Sequence, residues 1–259
     1  MTIHRSRGIS AIRVGMLAVA AVTGLASSSD RAAEQTCPRQ LVLVLADGWD
    51  SIHARLCRLQ SEHDEWKVAG SCVPAVIGKK GLAWGIGQRP AGRTEQLKQE
   101  GDGRSPAGVF GLREIIGYAA TAPQGATMPY QQATPTLHCV DDADSPRYNE
   151  IVEAAGLANP LPWKSSELLK RNDDLYKWFA VVDYNSAPKV KAAGSCIFVH
   201  IWRSADQGTA GCTAMTEKDL LATFIWLNPT ANPRLVVLPR ADYTLLWKTW
   251  GLADPKLLN

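Results

Sequence analysis

The chain is 259 residues long and 46% hydrophobic, enough apolar surface for one large domain or two small ones. Lysine and arginine number 28 against 25 aspartates and glutamates, but residues 1–28 hold three arginines and no acid, so 25 of each sign remain beyond them. Such a balance gives no global charge that would draw the chain to nucleic acid or to an anionic membrane surface.

In chain order, the N-terminus reads as a secretory signal peptide ending near residue 30. "MTIHRSRGISAIR" carries Arg5, Arg7 and Arg13, "VGMLAVAAVTGL" is a short apolar run, and "ASSSDRAA" supplies small residues. The apolar run is too short to span a bilayer comfortably. The expectation is an exported chain, soluble in the periplasm after cleavage, with one domain over residues 38–255. "QLVLVLADGW" reads as a buried strand. "DSIHARLCRLQ" places Ile52, Leu56 and Leu59 at helical spacing after Asp50. Strand-like runs follow in "WKVAGSCVPAVIG", "AGVFGLREIIGY", "LHCVDD", "WFAVVDY", "SCIFVHIW" and "PRLVVLP". "SPRYNEIVEAAG" and "SSELLKRNDDLYKW" are read as helices, each starting at serine. "TEKDLLATFIWL" is read as a helix capped by Thr216 and Asp219, and "ADYTLLWKTWG" as a closing helix ending at Gly251. Strands outnumber helices without alternating with them. That predicts a mainly β fold, a sandwich or barrel with peripheral helices, rather than a doubly wound sheet.

The chemistry concentrates in "VHIWRSADQGTAGCTAM". His200 ends a strand and Cys212 lies in a small-residue loop before the helix that starts near Thr216. The turn between them can return the chain beside the strand, so that a neutral imidazole takes the thiol proton. A helix N-terminus beyond the cysteine would lower its pKa. Backbone N–H groups at Gly211 and Thr213 would face a developing oxyanion. The plainer alternative stands beside this: a structural histidine, and a cysteine in a disulfide. The six cysteines include no C-x-x-C pair, so zinc-ribbon and thioredoxin sites find no support. A Zn site from His138, Cys139, His200 and Cys212 is disfavoured because neighbours on a strand point to opposite faces. No metal and no cofactor is expected. "CVDDADSPRYN" lacks the spacing of a calcium loop and reads as a strand end, an acidic turn and a helix capped at Ser145.

"FVH…TAGCTAM" resembles the signature of the L,D-transpeptidases, the YkuD-type catalytic domain. "GDGRSPAGVFGL", "GKKGLAWG", "MPY", "HCVDDADSPRYN" and "GSCIFVHIW" extend the likeness over roughly residues 41–243, toward exported bacterial members. The resemblance implies a YkuD-like sandwich or barrel. It makes Cys212 the nucleophile, His200 the base, Gly211 the loop glycine and Thr209 the loop hydroxyl, with a backbone carbonyl just after His200 orienting the imidazole. Ala210 stands where the family's loop has histidine, Ala214 where arginine or asparagine is common, and Ile201 where many members have glycine. The implied reaction is acyl transfer from a peptidoglycan tetrapeptide stem, releasing D-alanine, to an amine of a second stem. The alternatives are hydrolysis of the same bond, an L,D-carboxypeptidase, and a wall-binding domain without catalysis. The implied partners are stem peptides and a carbapenem able to acylate Cys212, with no nucleic acid and no obligate protein partner. Trp202 shares the strand face of His200 and is expected to wall the substrate groove. Cys139 and Cys196, both in strand-like runs, are expected to form a disulfide.

Overall fold

A computed structural model describes residues 1–2, 37–63 and 65–258. The chain divides into Met1–Thr36 and Cys37–Asn259; the signal-peptide reading falls outside the described residues.

The apolar run after Gln40 dictates the centre of the second unit. β1 (Gln40–Ala46) is buried along its whole length, as a strand covered on both faces must be. It pairs in parallel with β14 (Arg234–Pro239) and antiparallel with β2 (His53–Glu62). From β14 the sheet continues through β6 (Ser105–Gly117), β11 (Trp178–Asp183), β12 (Phe198–Ile201), β13 (Thr213–Met215) and β4 (Val73–Val76) to β2. Because β2 also pairs with β1, the sheet closes on itself as a barrel and leaves those strands no open edge. β3 (Glu65–Val68) adds to β2, while β5 (Leu82–Trp84) and β7 (Tyr130–Gln132) add to β6. A small separate sheet has the order β10 (Glu167–Leu168), β8 (Leu137–Cys139), β9 (Ile151–Glu153). Among the described residues two α-helices flank this framework, α1 (Glu217–Trp226) and α2 (Arg240–Leu246). The expected mainly β barrel with peripheral helices is the fold observed.

Strand alternation sorts side chains between two cores. Ala180, Val182, Val199 and Ile201 belong to the main core. Phe179, Val181 and Phe198 point to a second cluster that also contains Cys139, Cys196, Tyr176 and Cys212. The expected disulfide Cys139–Cys196 is present and ties β8 of the small sheet to the segment entering β12. A second disulfide, Cys57–Cys72, ties β2 to the approach to β4. Cys37, exposed, and Cys212, buried, are the free cysteines.

Three helical readings are corrected. "DSIHARLCRLQ" is strand β2: seven register pairs to β1 and four to β4 outweigh its helical spacing. In "SPRYNEIVEAAG" the chain turns instead, then pairs Ile151 with Cys139 in the small sheet. "SSELLKRNDDLYKW" holds β10 and a 3-10 turn, Asp174–Tyr176, whose Leu175 N–H donates to the Asp173 side chain. α1 forms as expected: Thr216 Oγ1 accepts from Asp219 N at 3.1 Å and donates to the Asp219 carboxylate at 2.6 Å.

Candidate active site

His200 sits on β12 opposite Ala214 of β13, and Val199 sits opposite Thr213. The parallel register therefore carries Cys212, one residue before β13, to the level of Phe198. The two side chains become diagonal neighbours on the face of the second core. The loop between the strands is pinned from below. Thr209 N donates to Ile77 O at 2.8 Å, and Lys79 N donates to Thr209 O at 2.7 Å. The Cys212 carbonyl accepts from Thr209 Oγ1 at 2.7 Å and from Ser105 Oγ at 2.9 Å. Gly211 fits a tight place: a Cβ there would stand 3.1 Å from the Arg104 carbonyl oxygen. Two hydroxyls on one carbonyl, each worth about 0.5–1.5 kcal/mol net, hold the Cys212 backbone in place.

The imidazole is oriented as the resemblance implied. His200 Nδ1 lies 2.7 Å from Ile201 O. A carbonyl can only accept, so Nδ1 carries the proton. Burial pushes the pKa of His200 down to about 4, against the pull of the Ile201 carbonyl. At neutral pH the ring is therefore uncharged, although the Leu175 backbone also pulls its pKa upward. Tyr176 packs edge-on against this ring with centroids 5.1 Å apart.

The thiol faces a different environment from the one expected. The three residues of β13 stand between Cys212 and α1 in the chain, so the cysteine does not directly precede that helix as expected. Its pKa is pushed up to about 12, first by burial and then by the charge of Glu167, with the Phe198 N–H and Lys98 opposing. Sγ accepts from Phe198 N at 3.3 Å and donates to Cys196 O at 3.7 Å. In the free protein the pair is thus a neutral thiol and a neutral imidazole, with the thiol turned to a backbone carbonyl rather than to the ring.

Both residues open onto a cleft of about 370 Å³. Trp202, Thr209, Ala210 and Gly211 line it. Thr213 is not among the lining residues; it is buried in β13. The sequence offered no signal for much of the remaining wall. Glu167, Arg171 and Tyr176 come from the segment read as a helix, and Lys98 and Glu100 from a loop. Arg171 grips Asp173 through Nε and Nη2, each at 2.9 Å, and its guanidinium lies 5.1 Å from the centre of the Tyr176 ring. Tyr176 Oη donates to Glu167 Oε2 at 2.7 Å. His138 and Cys139, weighed as zinc ligands, are otherwise engaged: His138 Nδ1 meets Ser166 Oγ at 3.0 Å and Cys139 is in a disulfide. Among the described residues no group of three acidic, histidine or cysteine side chains is placed to hold a metal.

The model of the family described as YkuD, L,D-transpeptidase catalytic domain, matches residues 67–237, a span that includes His200 and Cys212. No curated protein matches the chain. A solved structure titled "Structure of Bdellovibrio bacteriovorus Bd1075" is similar at 13% identity with a TM-score of 0.38. The likeness covers 78% of this chain and 48% of that one, so the chain spans about half the length of the protein it matches.

Proposed function

The chain belongs to the L,D-transpeptidase family by its YkuD catalytic domain, and from that premise we propose that it catalyses cysteine-dependent acyl transfer on peptidoglycan stem peptides. The observation that supports this reading is the Nδ1–Ile201 hydrogen bond, which orients a neutral His200 in the cleft that Cys212 also lines. On substrate binding the thiol turns from Cys196 O toward Nε2. The thiol proton passes to His200 as Sγ bonds to the carbonyl carbon at the L-centre of the diamino-acid residue. The negative charge on the carbonyl oxygen is met by the backbone N–H of Cys212, because the Gly211 N–H is already given to Thr209 Oγ1 at 3.1 Å and Thr213 is buried in β13. The C–N bond then breaks, the imidazolium returns the proton to the leaving nitrogen, and D-alanine departs. An amine of a second stem attacks the thioester, forms the cross-link, loses a proton to His200 and restores the thiol. Trp202 and Thr209 line the groove that holds the stem.

The N-terminal sequence supports export to the periplasm, and the two disulfides fit an oxidising compartment. Among the described residues no helix is long and apolar enough to cross a membrane.

The test is incubation with a carbapenem followed by intact mass measurement of wild type and Cys212→Ala. The expected result is one covalent adduct on wild type and none on the variant. An adduct on both, or none on wild type together with no product from a tetrapeptide stem, would overturn the reading.

A further inference from the structure

Two arginines in the catalytic cleft share one carboxylate, and the proposed reaction leaves both unused. Arg171 and Arg203 line the cleft; Asp173 does not. Asp173 therefore braces the pair from behind. Its Oδ1 accepts from Arg171 Nε at 2.9 Å and from Leu175 N at 3.2 Å, and its Oδ2 accepts from Arg171 Nη2 at 2.9 Å. Arg203 Nη2 comes no closer to the same Oδ2 than 3.5 Å, and among the described residues Arg203 takes part in no other ion pair. The 3-10 turn Asp174–Tyr176 sets this group beside the imidazole. Tyr176 packs edge-on against His200 with centroids 5.1 Å apart, and the Arg171 guanidinium lies 5.1 Å from the centre of the same tyrosine ring. Arg203 reaches the spot from the other direction, just beyond the end of β12.

One aspartate neutralises one guanidinium, so a positive charge is left over on this wall. It belongs to Arg203. Its side chain is 57% exposed, and an exposed ion pair of that length contributes little to stability. Arg203 is thus free to turn its N–H fork to a second carboxylate, which a planar guanidinium matches with two parallel hydrogen bonds. Arg171, fixed by Asp173, holds the floor beneath it. In the proposed reaction His200 returns its proton to the nitrogen of the departing D-alanine, so that nitrogen must lie at the imidazole. The α-carboxylate of the same residue is only one carbon removed from the nitrogen. The anion therefore arrives beside the ring where Arg171 and Arg203 meet.

We infer that Arg203, with Arg171 beside it, binds the free α-carboxylate of the terminal D-alanine and is the residue by which the cleft recognises the end of the donor stem. This rests on the acyl-transfer reading above for which bond of the stem lies at Cys212. A stem whose terminal carboxyl is masked loses the contact, although the bond to be broken is unchanged.

The test is calorimetric titration of Cys212→Ala with two tetrapeptide stems that differ only at the C-terminus, one a free acid and the other its carboxamide. The acid is expected to bind about tenfold to a hundredfold more tightly, the value of a charge-assisted hydrogen bond. Adding Arg203→Gln should collapse that ratio toward one, while Arg203→Lys should keep part of it, since a charge remains without the planar fork. Equal binding of acid and amide by Cys212→Ala would overturn the carboxylate site, and so would an undiminished ratio in the Arg203→Gln double variant. Should that double variant fail to melt as a folded protein, the acid-to-amide ratio on Cys212→Ala and the Arg203→Lys variant decide the matter. Acid-selective binding that depends on Arg203, in a protein whose wild type forms no carbapenem adduct, would instead count against acyl transfer and leave the carboxylate site standing.

Discussion

The two faces of β12 have the same backbone and opposite duties. Val199 and Ile201 point into the main core, where they are packed among aliphatic side chains from the barrel strands and helices. Phe198 and His200 point to the other side, toward Cys212, Tyr176 and the small sheet tied down by Cys139–Cys196. One face supplies stability through burial. The other holds polar groups in a low-dielectric cleft, where their protonation is set by burial and by neighbouring charge. The protonation of Cys212 and His200 is set by burial rather than by a helix terminus.

Changes on the two faces should therefore separate activity from stability. The largest effect is expected from Cys212→Ala: stem turnover falls to background while the unfolding midpoint stays close to wild type, as measured by product formation and thermal melting. An active variant would place the nucleophile elsewhere. Next, His200→Gln should lower kcat/KM by about 10²–10⁴. In wild type the working form is neutral, so kcat/KM should fall with decreasing pH only as His200 is protonated through about 4. An acid limb near the usual histidine value would show that the ring is not buried in solution.

The disulfides offer a milder contrast. Removing Cys139–Cys196, which closes a separation of 57 residues, should cost about 2–4 kcal/mol and also reduce turnover, because it frees the small sheet that carries Glu167 beside the thiol. Removing Cys57–Cys72, with a separation of 15, should lower chemical-denaturation stability while leaving kcat intact. Equal losses of kcat in both would mean that the small sheet has no particular bearing on the site. The smallest effect is expected from Ile201→Val, about 0.5–1.5 kcal/mol of stability with kcat unchanged. The carbonyl that orients His200 belongs to the backbone and survives the substitution.

The barrel was legible wherever an apolar, β-branched run had one reading. β1, β6, β11, β12 and β14 fall on segments read as strands. The errors lie where local spacing and tertiary pairing disagree. Leu56 and Leu59 fit a helical stripe, yet both are buried in β2 because β1 and β4 provide partners on either side. The site divides in the same way. His200, Cys212 and the Ile201 carbonyl could be read from a continuous stretch of sequence. Glu167 and Tyr176 could not, since they reach the thiol through a short strand and a 3-10 turn in a segment that reads as amphipathic helix. Ser105 lay inside a quoted motif, but its bond to the Cys212 carbonyl depends on a contact 107 positions away. That Cys212 does not directly precede α1 follows from the same limit: a three-residue strand, β13, is too short to show as a pattern.

Mass spectrometry of the products from purified disaccharide-tetrapeptide tests the central claim most directly. Wild-type protein should release D-alanine and yield cross-linked dimers, or tripeptide where water takes the place of the second stem, and Cys212→Ala should yield neither. Unchanged tetrapeptide with wild type, or the same products with Cys212→Ala, would contradict an acyl-transfer role for Cys212.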